Sequence, residues 1–236
     1  MLKDKKIILY APTFRGNIYQ GFSMLPFDGE KLINSFDENT YLIYKLHPLL
    51  KNICLPQHPR IIDMFNEDTH ELFALSDLLI SDFSSIVFDY SILNKTMYFY
   101  VPDLNDYLKD VGCYVNIDLF PGKICKNIDE LIQGIQKNEV GNLEAFKNIF
   151  FEYQDGKNTK RVVELLHYLK DNNYKTIVAT SSNRDRVDKI LAQAKITEFF
   201  DDSICGDEVT KGKPNPEVFL KSCQKLGVNV DEAIVL

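Results

Sequence analysis

The sequence predicts an α/β protein with a parallel sheet and helices on both of its faces. Short apolar runs alternate with longer segments of helical periodicity. The apolar runs end abruptly at Pro, Thr or Ser, as strands do where they pass into polar loops. Strands that alternate with helices form parallel sheets, because each helix returns the chain to the same edge of the sheet.

The predicted elements follow in order along the chain. KKIILYAPT, TYLIYKLHP, SDLLIS and TMYFYVP are predicted strands, and SSIVFDYSILN is a helix that begins at its serines. IDELIQGIQK, LEAFKNIFFEY and the amphipathic NTKRVVELLHYLK are helices. Beyond them KTIVATSSN, DSICGDE and DEAIVL are strands, and RDRVDKILAQA and NPEVFLKSCQKLG are helices. The sequence pattern changes near residue 170, so we expect two domains, residues 1–168 and 169–236.

Composition limits the classes of function. The chain has 236 residues and a net charge of -7, which argues against a nucleic-acid binder with a basic surface. Its 5 cysteines are scattered without a C-x-x-C pair, as in reduced cytosolic proteins. No apolar run approaches the roughly 18 residues of a membrane span. We therefore expect a cytoplasmic protein, with peripheral attachment to the inner face of the membrane left open.

A serine-rich turn interrupts the apolar stretch SDLLISDFSSIVFDY. Ser84 or Ser85 can cap the following helix and also offer a hydroxyl to phosphate, where the first N–H groups of a helix lack partners. Capping alone would also explain both serines. Asp82 would repel a phosphate, so we expect it to orient the loop or to bind hydroxyl groups.

Two other loops carry polar residues that suit an anion. Thr13 and Arg15 follow the first strand, where a hydroxyl and a guanidinium can meet a diphosphate. Lys45 and His47 are two apart in YKLHP, which would point both to one face of a strand. A lone histidine is more often structural, but the neighbouring lysine makes His47 a better candidate for binding an anion. Because parallel strands end at one edge of a sheet, we expect these loops to converge.

Six segments in their order and spacing resemble a known family: ILYAPTFR, KLHP, SDLLISDFSSIVFDYSILNK, MYFYVPDLNDY, FPGKI and DGKNTKRVVELL. Residues 1–168 resemble the C-terminal half of the CDP-glycerol glycerophosphotransferases, the teichoic-acid primases and polymerases. The resemblance implies the Rossmann-like parallel sheet of a GT-B C-terminal domain. It also implies transfer of glycerol phosphate from CDP-glycerol to a lipid-linked polyol-phosphate acceptor in teichoic acid or capsule synthesis, with CMP leaving and no cofactor.

The same resemblance assigns roles to residues. It makes His47 catalytic, in contact with the donor's phosphates, and it assigns Thr13, Arg15, Ser84 and Ser85 to donor phosphate binding. From the residues themselves we add Lys45 to the phosphate ligands and expect Asp82 to orient the loop. The family's Arg-Gly pair is Val111-Gly112 here, so one positive contact is missing. Its N-terminal half, with a His-Gly-Thr-Pro motif, is absent, and we expect this chain to supply the donor-binding half.

Residues 169–236 resemble part of the haloacid-dehalogenase (HAD) superfamily, near the β-phosphoglucomutase-like phosphatases. The matching segments are IVATSSN and KGKPNPEVF, and by resemblance Thr180 and Lys213 form a HAD-like phosphate site. The superfamily's D-x-D-x-T/V motif, which supplies nucleophile and acid/base, does not occur in the chain. We expect no metal site, since Mg2+ would bind only in a complete domain of this kind.

Other functions stay open at this point. A HAD-type sugar-phosphate phosphatase or phosphoglucomutase is disfavoured by the missing aspartates. A catalytically incomplete nucleotide-binding fragment would keep the same loops without turnover. A GT-B glycosyltransferase or an epimerase that uses a sugar nucleotide would share the serine-rich turn but explains YAPTFR and KLHP less well.

Overall fold

The computed structural model describes residues 2, 4–17, 21–50, 53–213 and 215–235. The chain divides into two compact units, Met1–Glu152 and Tyr153–Leu236. This division falls earlier in the chain than the boundary that the sequence suggests after residue 168. The helix that spans that boundary, α7 (Asn158–Asp171), lies wholly in the second unit.

The first unit is built on a six-stranded sheet whose neighbouring strands are all parallel. A hairpin, β2 and β3, lies outside this sheet. The eight strands are β1 (Lys6–Tyr10), β2 (Phe14–Asn17), β3 (Gly21–Met24), β4 (Thr40–Tyr44), β5 (Ile61–Asp63), β6 (Leu78–Ser81), β7 (Thr96–Tyr100) and β8 (Lys123–Cys125). The order across the sheet is β5-β4-β1-β6-β7-β8, which confirms the predicted α/β fold with a parallel sheet.

The central strands are apolar throughout because both faces of the sheet are covered. Ile8 and Tyr10 of β1 point into one buried cluster, whereas Ile7 and Leu9 point into the other. This is the two-residue alternation of a strand, with apolar side chains on each side. The continuous run KIILY therefore identifies a strand buried on both faces.

The described residues of the first unit form six helices, and all except the fourth bury apolar side chains in the two clusters beside the sheet. They are α1 (Gly29–Asn34), α2 (Thr69–Leu75), α3 (Ile86–Ser91), α4 (Leu104–Asp110), α5 (Ile128–Gln136) and α6 (Leu143–Phe150). Polar side chains fix several of their beginnings: Asp68 accepts the backbone N–H groups of His70 and Glu71, and Asn127 accepts that of Glu130. Such caps satisfy N–H groups that the first turn of a helix leaves free.

The strand order places a switch point between β1 and β6. From β1 the chain moves outward through β4 and β5, and from β6 it moves the other way through β7 and β8. Loops that follow β1 and β6 therefore leave the same edge and turn to opposite sides, which opens a crevice between them. Open α/β sheets bind ligands in this crevice. Thr13 and Arg15 follow β1, and Asp82, Ser84 and Ser85 follow β6.

The second unit contains a small parallel sheet of two strands, β9 (Ile177–Ala179) and β10 (Asp202–Ile204). Its helices are α7, α8 (Arg184–Ala194) and α9 (Glu217–Leu226). The prediction of a strand at DEAIVL is wrong for its described part: a short 3-10 helix, Val230–Glu232, is followed by residues without regular structure. Ile234 and Val235 are exposed there and pair with neither β9 nor β10. Leu236 lies outside the described residues.

In the described ranges, no helix has both the length and the apolar character needed to cross a membrane.

Candidate functional site

The centre of the crevice is the buried carboxylate of Asp82, which is 1% exposed. It accepts hydrogen bonds from the backbone N–H of Thr13 at 2.8 Å and from the Thr13 hydroxyl at 2.8 Å. The guanidinium of Arg15 donates to it from Nη1 at 2.9 Å. Asp82 therefore joins the loop after β1 to the loop after β6, and the structure confirms the expected convergence of these two loops.

Arg15 is held from two sides. Its Nε and Nη2 donate to the two oxygens of Asp103 at 2.6 and 3.2 Å, in the bidentate geometry that arginine favours. Nη1 also donates to the hydroxyl of Thr13 at 2.7 Å. Burial by itself would lower the pKa of Arg15, but its hydrogen bond to Asp103 and the charge of Asp82 raise that pKa above its usual value. The arginine stays charged and paired.

Two aromatic rings complete the surroundings of Arg15. The Phe83 and Tyr107 rings stack at 3.9 Å between centroids, with 7° between their planes. The guanidinium carbon of Arg15 lies 4.7 Å from the Tyr107 ring centre and 5.7 Å from that of Phe83, within the range of cation–π attraction. The residue that follows Asp82 is thus packed against α4 through an aromatic contact.

Ser84 and Ser85 lie at the surface of this assembly, at the start of α3. The Ser84 hydroxyl accepts only a long bond of 3.4 Å from the Ile86 N–H, and Ser85 makes no side-chain cap bond. Among the described residues, the backbone N–H groups of Ser84 and Ser85 find no protein acceptor. The capping explanation therefore accounts for little of the bonding of these serines, because their N–H groups and hydroxyls keep hydrogen-bonding capacity for a ligand.

His47 is exposed and lies beyond the end of β4, in the loop that follows this strand. Its ring packs against Phe14 of β2 at 4.8 Å between ring centres. Its Nδ1 accepts the backbone N–H of Leu49 at 3.2 Å, and partial burial lowers the pKa of the imidazole. The ring is therefore neutral near pH 7, with its proton on Nε2, and it can donate one hydrogen bond from that atom.

Lys45 does not share a face with His47 in the way that the sequence suggests. Strand β4 ends at Tyr44, so the two-residue alternation does not extend to His47. The Lys45 ammonium donates to the backbone carbonyls of Phe65 and Glu67, at 2.7 Å each. Those bonds fasten the loop after β5, and they compete with any role of Lys45 as a phosphate ligand.

In the second unit, Thr180 and Lys213 come close together. Thr180 follows β9, and its hydroxyl accepts the Ser182 N–H at 3.1 Å. The ammonium of the exposed Lys213 donates to the carbonyl of Ala179, the residue before Thr180, at 3.2 Å. The two side chains that the sequence singles out thus adjoin one loop at the carboxyl end of a strand.

The same unit offers one group of potential metal ligands in the described ranges, Cys205, Asp207 and Glu208, whose ligand atoms lie within 4.8 Å of one another. Glu208 already pairs with Arg184 and accepts the backbone N–H of Cys205. Burial raises the pKa of the Cys205 thiol, which disfavours the thiolate that a metal needs. These residues do not fit Mg2+, which prefers carboxylate oxygens free of a competing cation.

Sequence reasoning missed Asp103, the second partner of Arg15. This aspartate begins α4 and looks like an ordinary N-cap, yet its side chain makes no cap bond to the helix. The available signal was its place in VPD, just beyond the buried strand β7, at the same sheet edge as the other loops. Its pairing with a residue 88 positions away is not visible in any local pattern.

The sheet order and the polar loops at its switch point define a doubly wound, Rossmann-like α/β domain whose ligand crevice lies between β1 and β6. Comparison with known proteins then fixes the family. The family model described as CDP-Glycerol:Poly(glycerophosphate) glycerophosphotransferase matches residues 1–168, and the chain belongs to this family. A second model, Haloacid dehalogenase-like hydrolase, matches residues 121–236 and overlaps the first.

Individual relatives agree with this assignment. The teichoic acid ribitol-phosphate primase of Bacillus spizizenii is 36% identical over 70% of this chain and 44% of its own length. The teichoic acid glycerol-phosphate primase of Bacillus subtilis is 35% identical over 71% of the chain and 45% of its own length. A solved structure of a variant of the wall teichoic acid polymerase TagF, soaked with CDPG, has 32% identity and a TM-score of 0.55, covering 72% of this chain and 45% of that one. The chain thus spans less than half the length of these relatives.

Proposed function

We propose that the first unit binds CDP-glycerol and supplies the donor half of an enzyme that transfers glycerol phosphate to a lipid-linked polyol-phosphate acceptor. The observation that carries this proposal is the coincidence of two features in one segment. The family match covers residues 1–168, and that segment contains the whole parallel sheet with its polar loops at the switch point. The TagF structure soaked with CDPG supports a cytidine-diphosphate donor.

In this proposal the donor's diphosphate lies on the turn at Ser84 and Ser85. Their N–H groups and hydroxyls keep hydrogen-bonding capacity for a ligand, and oriented N–H groups suit phosphate oxygens. His47 adds a hydrogen bond from Nε2, because its Nδ1 already accepts the Leu49 N–H. With its proton on Nε2, the neutral imidazole can donate a hydrogen bond to a phosphate oxygen of the donor.

The reaction is a phosphoryl transfer. An acceptor hydroxyl oxygen forms a bond to the phosphorus that carries glycerol, and the bond from that phosphorus to the bridging oxygen breaks. CMP leaves with the electron pair, and the hydroxyl proton is released. Charge develops on the phosphoryl oxygens, so fixed hydrogen-bond donors are the natural means of catalysis. A lipid-linked acceptor would bring the protein to the inner face of the membrane.

The experiment is calorimetric titration of the chain with CDP-glycerol, with CDP-ribitol as the second ligand because relatives of both kinds are known. We expect His47→Ala to weaken binding about tenfold, the value of one hydrogen bond to a charged group. His70→Ala is the matched control, because that imidazole is exposed on α2. A folded chain that binds neither ligand refutes the proposal, and tighter binding of CDP-ribitol would move the donor assignment to ribitol.

A further inference from the structure

The guanidinium of Arg15 has little capacity left for a ligand. Its Nε and Nη2 are bound to Asp103, and its Nη1 is bound to Asp82 and to the hydroxyl of Thr13. One face is covered by the Tyr107 ring, and the side chain is only 17% exposed. Of the five N–H groups of this guanidinium, one on Nη2 has no acceptor among the described residues, so a phosphate that took two of them would displace a carboxylate or the Thr13 hydroxyl.

The buried charge of Asp82 explains why an arginine is needed here. A carboxylate that is 1% exposed must be paired and hydrogen-bonded, because isolated burial of a charge is very unfavourable. Arg15 supplies the only salt bridge to Asp82 among the described residues. Without that neutralisation, the buried negative charge next to Ser84 would repel an anion on the serine turn.

Asp103 carries a second, independent sign of this role. It occupies the N-cap position of α4, where an aspartate normally accepts an N–H group of the helix that follows. Instead both of its oxygens accept from Arg15, and the helix receives no side-chain cap. The helix therefore lacks the stabilisation of a side-chain cap, and the Asp103 carboxylate is used for the contact with Arg15. This arrangement fixes the loop after β7 to the loops after β1 and β6.

We propose that Arg15 and Asp103 are positioning residues, which hold the turn at Ser84 and Ser85 in its anion-binding geometry and do not bind the donor's phosphates. Arg15 acts through Asp82, which begins the turn, and through Phe83, whose ring packs with Tyr107. The inference rests on the proposed donor site and assigns Arg15 a different part in it from the one that the sequence suggests.

The direction in which Asp103→Asn changes the affinity for CDP-glycerol distinguishes a phosphate-binding Arg15 from a positioning one. If Arg15 were a phosphate ligand, Asp103→Asn would free its charge, and CDP-glycerol would bind as tightly as before or more tightly. As a positioning pair, Asp103→Asn weakens CDP-glycerol binding about tenfold, the effect of losing one charge-assisted hydrogen bond. Arg15→Lys weakens it to a similar degree, because an ammonium lacks the planar fork that holds Asp103 through two parallel hydrogen bonds. The double variant Arg15→Lys, Asp103→Asn binds CDP-glycerol no more weakly than either single variant, because the two residues act through one shared interaction.

Asp106→Asn is the matched control, since Asp106 is an exposed aspartate on the same helix that makes no ion pair among the described residues. Titrations are made at a temperature at which circular dichroism shows that each variant is folded. Asp103→Glu, which keeps the charge, restores part of the affinity. An Asp103→Asn variant that binds CDP-glycerol as tightly as the wild type would overturn the proposal.

A second readout needs no donor at all. In two-dimensional NMR of the free chain, the backbone amide signals of Ser84 and Ser85 shift in Asp103→Asn and stay in place in Asp106→Asn. If the wild type does not bind CDP-glycerol but these signals shift, the proposed function fails while the positioning role stands. Unchanged Ser84 and Ser85 signals in Asp103→Asn would refute the positioning role.

Discussion

Replacing Asp82 by alanine tests whether the crevice is held together by its buried carboxylate. The substitution removes three hydrogen bonds, of 2.8, 2.8 and 2.9 Å, and leaves the Thr13 N–H without its partner. Removing one member of a buried ion pair costs about 3–5 kcal/mol in other proteins. Arg15 keeps Asp103, so the lower end applies, and we expect a loss of about 3 kcal/mol for the first unit.

The loss is best measured by hydrogen exchange of peptides from β1 and β6, because exchange reports the opening of the first unit alone. A loss of about 3 kcal/mol makes their slowest amides exchange about a hundredfold faster. Asp82→Asn keeps the shape and one acceptor oxygen, and it should cost less than Asp82→Ala. Asp110→Ala, an exposed control on α4, should change the rates little. An Asp82→Ala effect below threefold would refute the claim that this carboxylate ties the loops together.

Three further outcomes are expected. Tyr10→Phe leaves the unfolding free energy unchanged or raises it, because the buried Tyr10 hydroxyl has no hydrogen-bond partner in the described ranges; a loss above about 1 kcal/mol in urea denaturation would contradict this. Gly122→Ala lowers the melting temperature sharply, because an added Cβ would lie 2.1 Å from the Met97 carbonyl oxygen; an unchanged calorimetric transition would show that the backbone yields. In the second unit, hydrogen bonding to Arg161 lowers the pKa of Asp155 to about 2, so its contribution to stability is complete above its unfolded pKa and lost as the pH falls towards 2; NMR titration of Asp155 checks this, and Arg161→Ala should return the pKa towards 4.

The sequence predicted the elements that have a strong local pattern. Strand β1 is identified by its continuous apolar run, because both of its faces are buried. Strands β5 and β8 were missed, since three residues cannot establish an alternation. The hairpin of β2 and β3 was also missed. Gly16 and Gly21 weaken its strand pattern, and both have positive φ angles that suit a turn better than a strand.

The candidate site was predictable in its location but not in its bonding. Polar residues after β1 and β6 indicated the switch point, because parallel strands end at one edge. Which hydrogen bonds form there depends on distances between loops that lie far apart in the chain. Local spacing therefore could not show that Lys45 binds two backbone carbonyls or that Arg15 pairs with Asp103. The strand prediction at DEAIVL was wrong for a related reason. A strand requires a neighbouring strand to pair with, and a local apolar run does not show whether one is present.

The bridge from Arg15 to Asp103 also constrains the order in which the chain can fold. It closes a loop of 88 residues, and β1 must first pair with β6, which lies about 70 positions further along the chain. The entropy of closing such loops is compensated only after the sheet has formed, which makes long-range parallel pairing slow. The ligand crevice is therefore among the last parts of the first unit to assemble, and a nascent chain that has not yet delivered Asp103 has strands but no finished site.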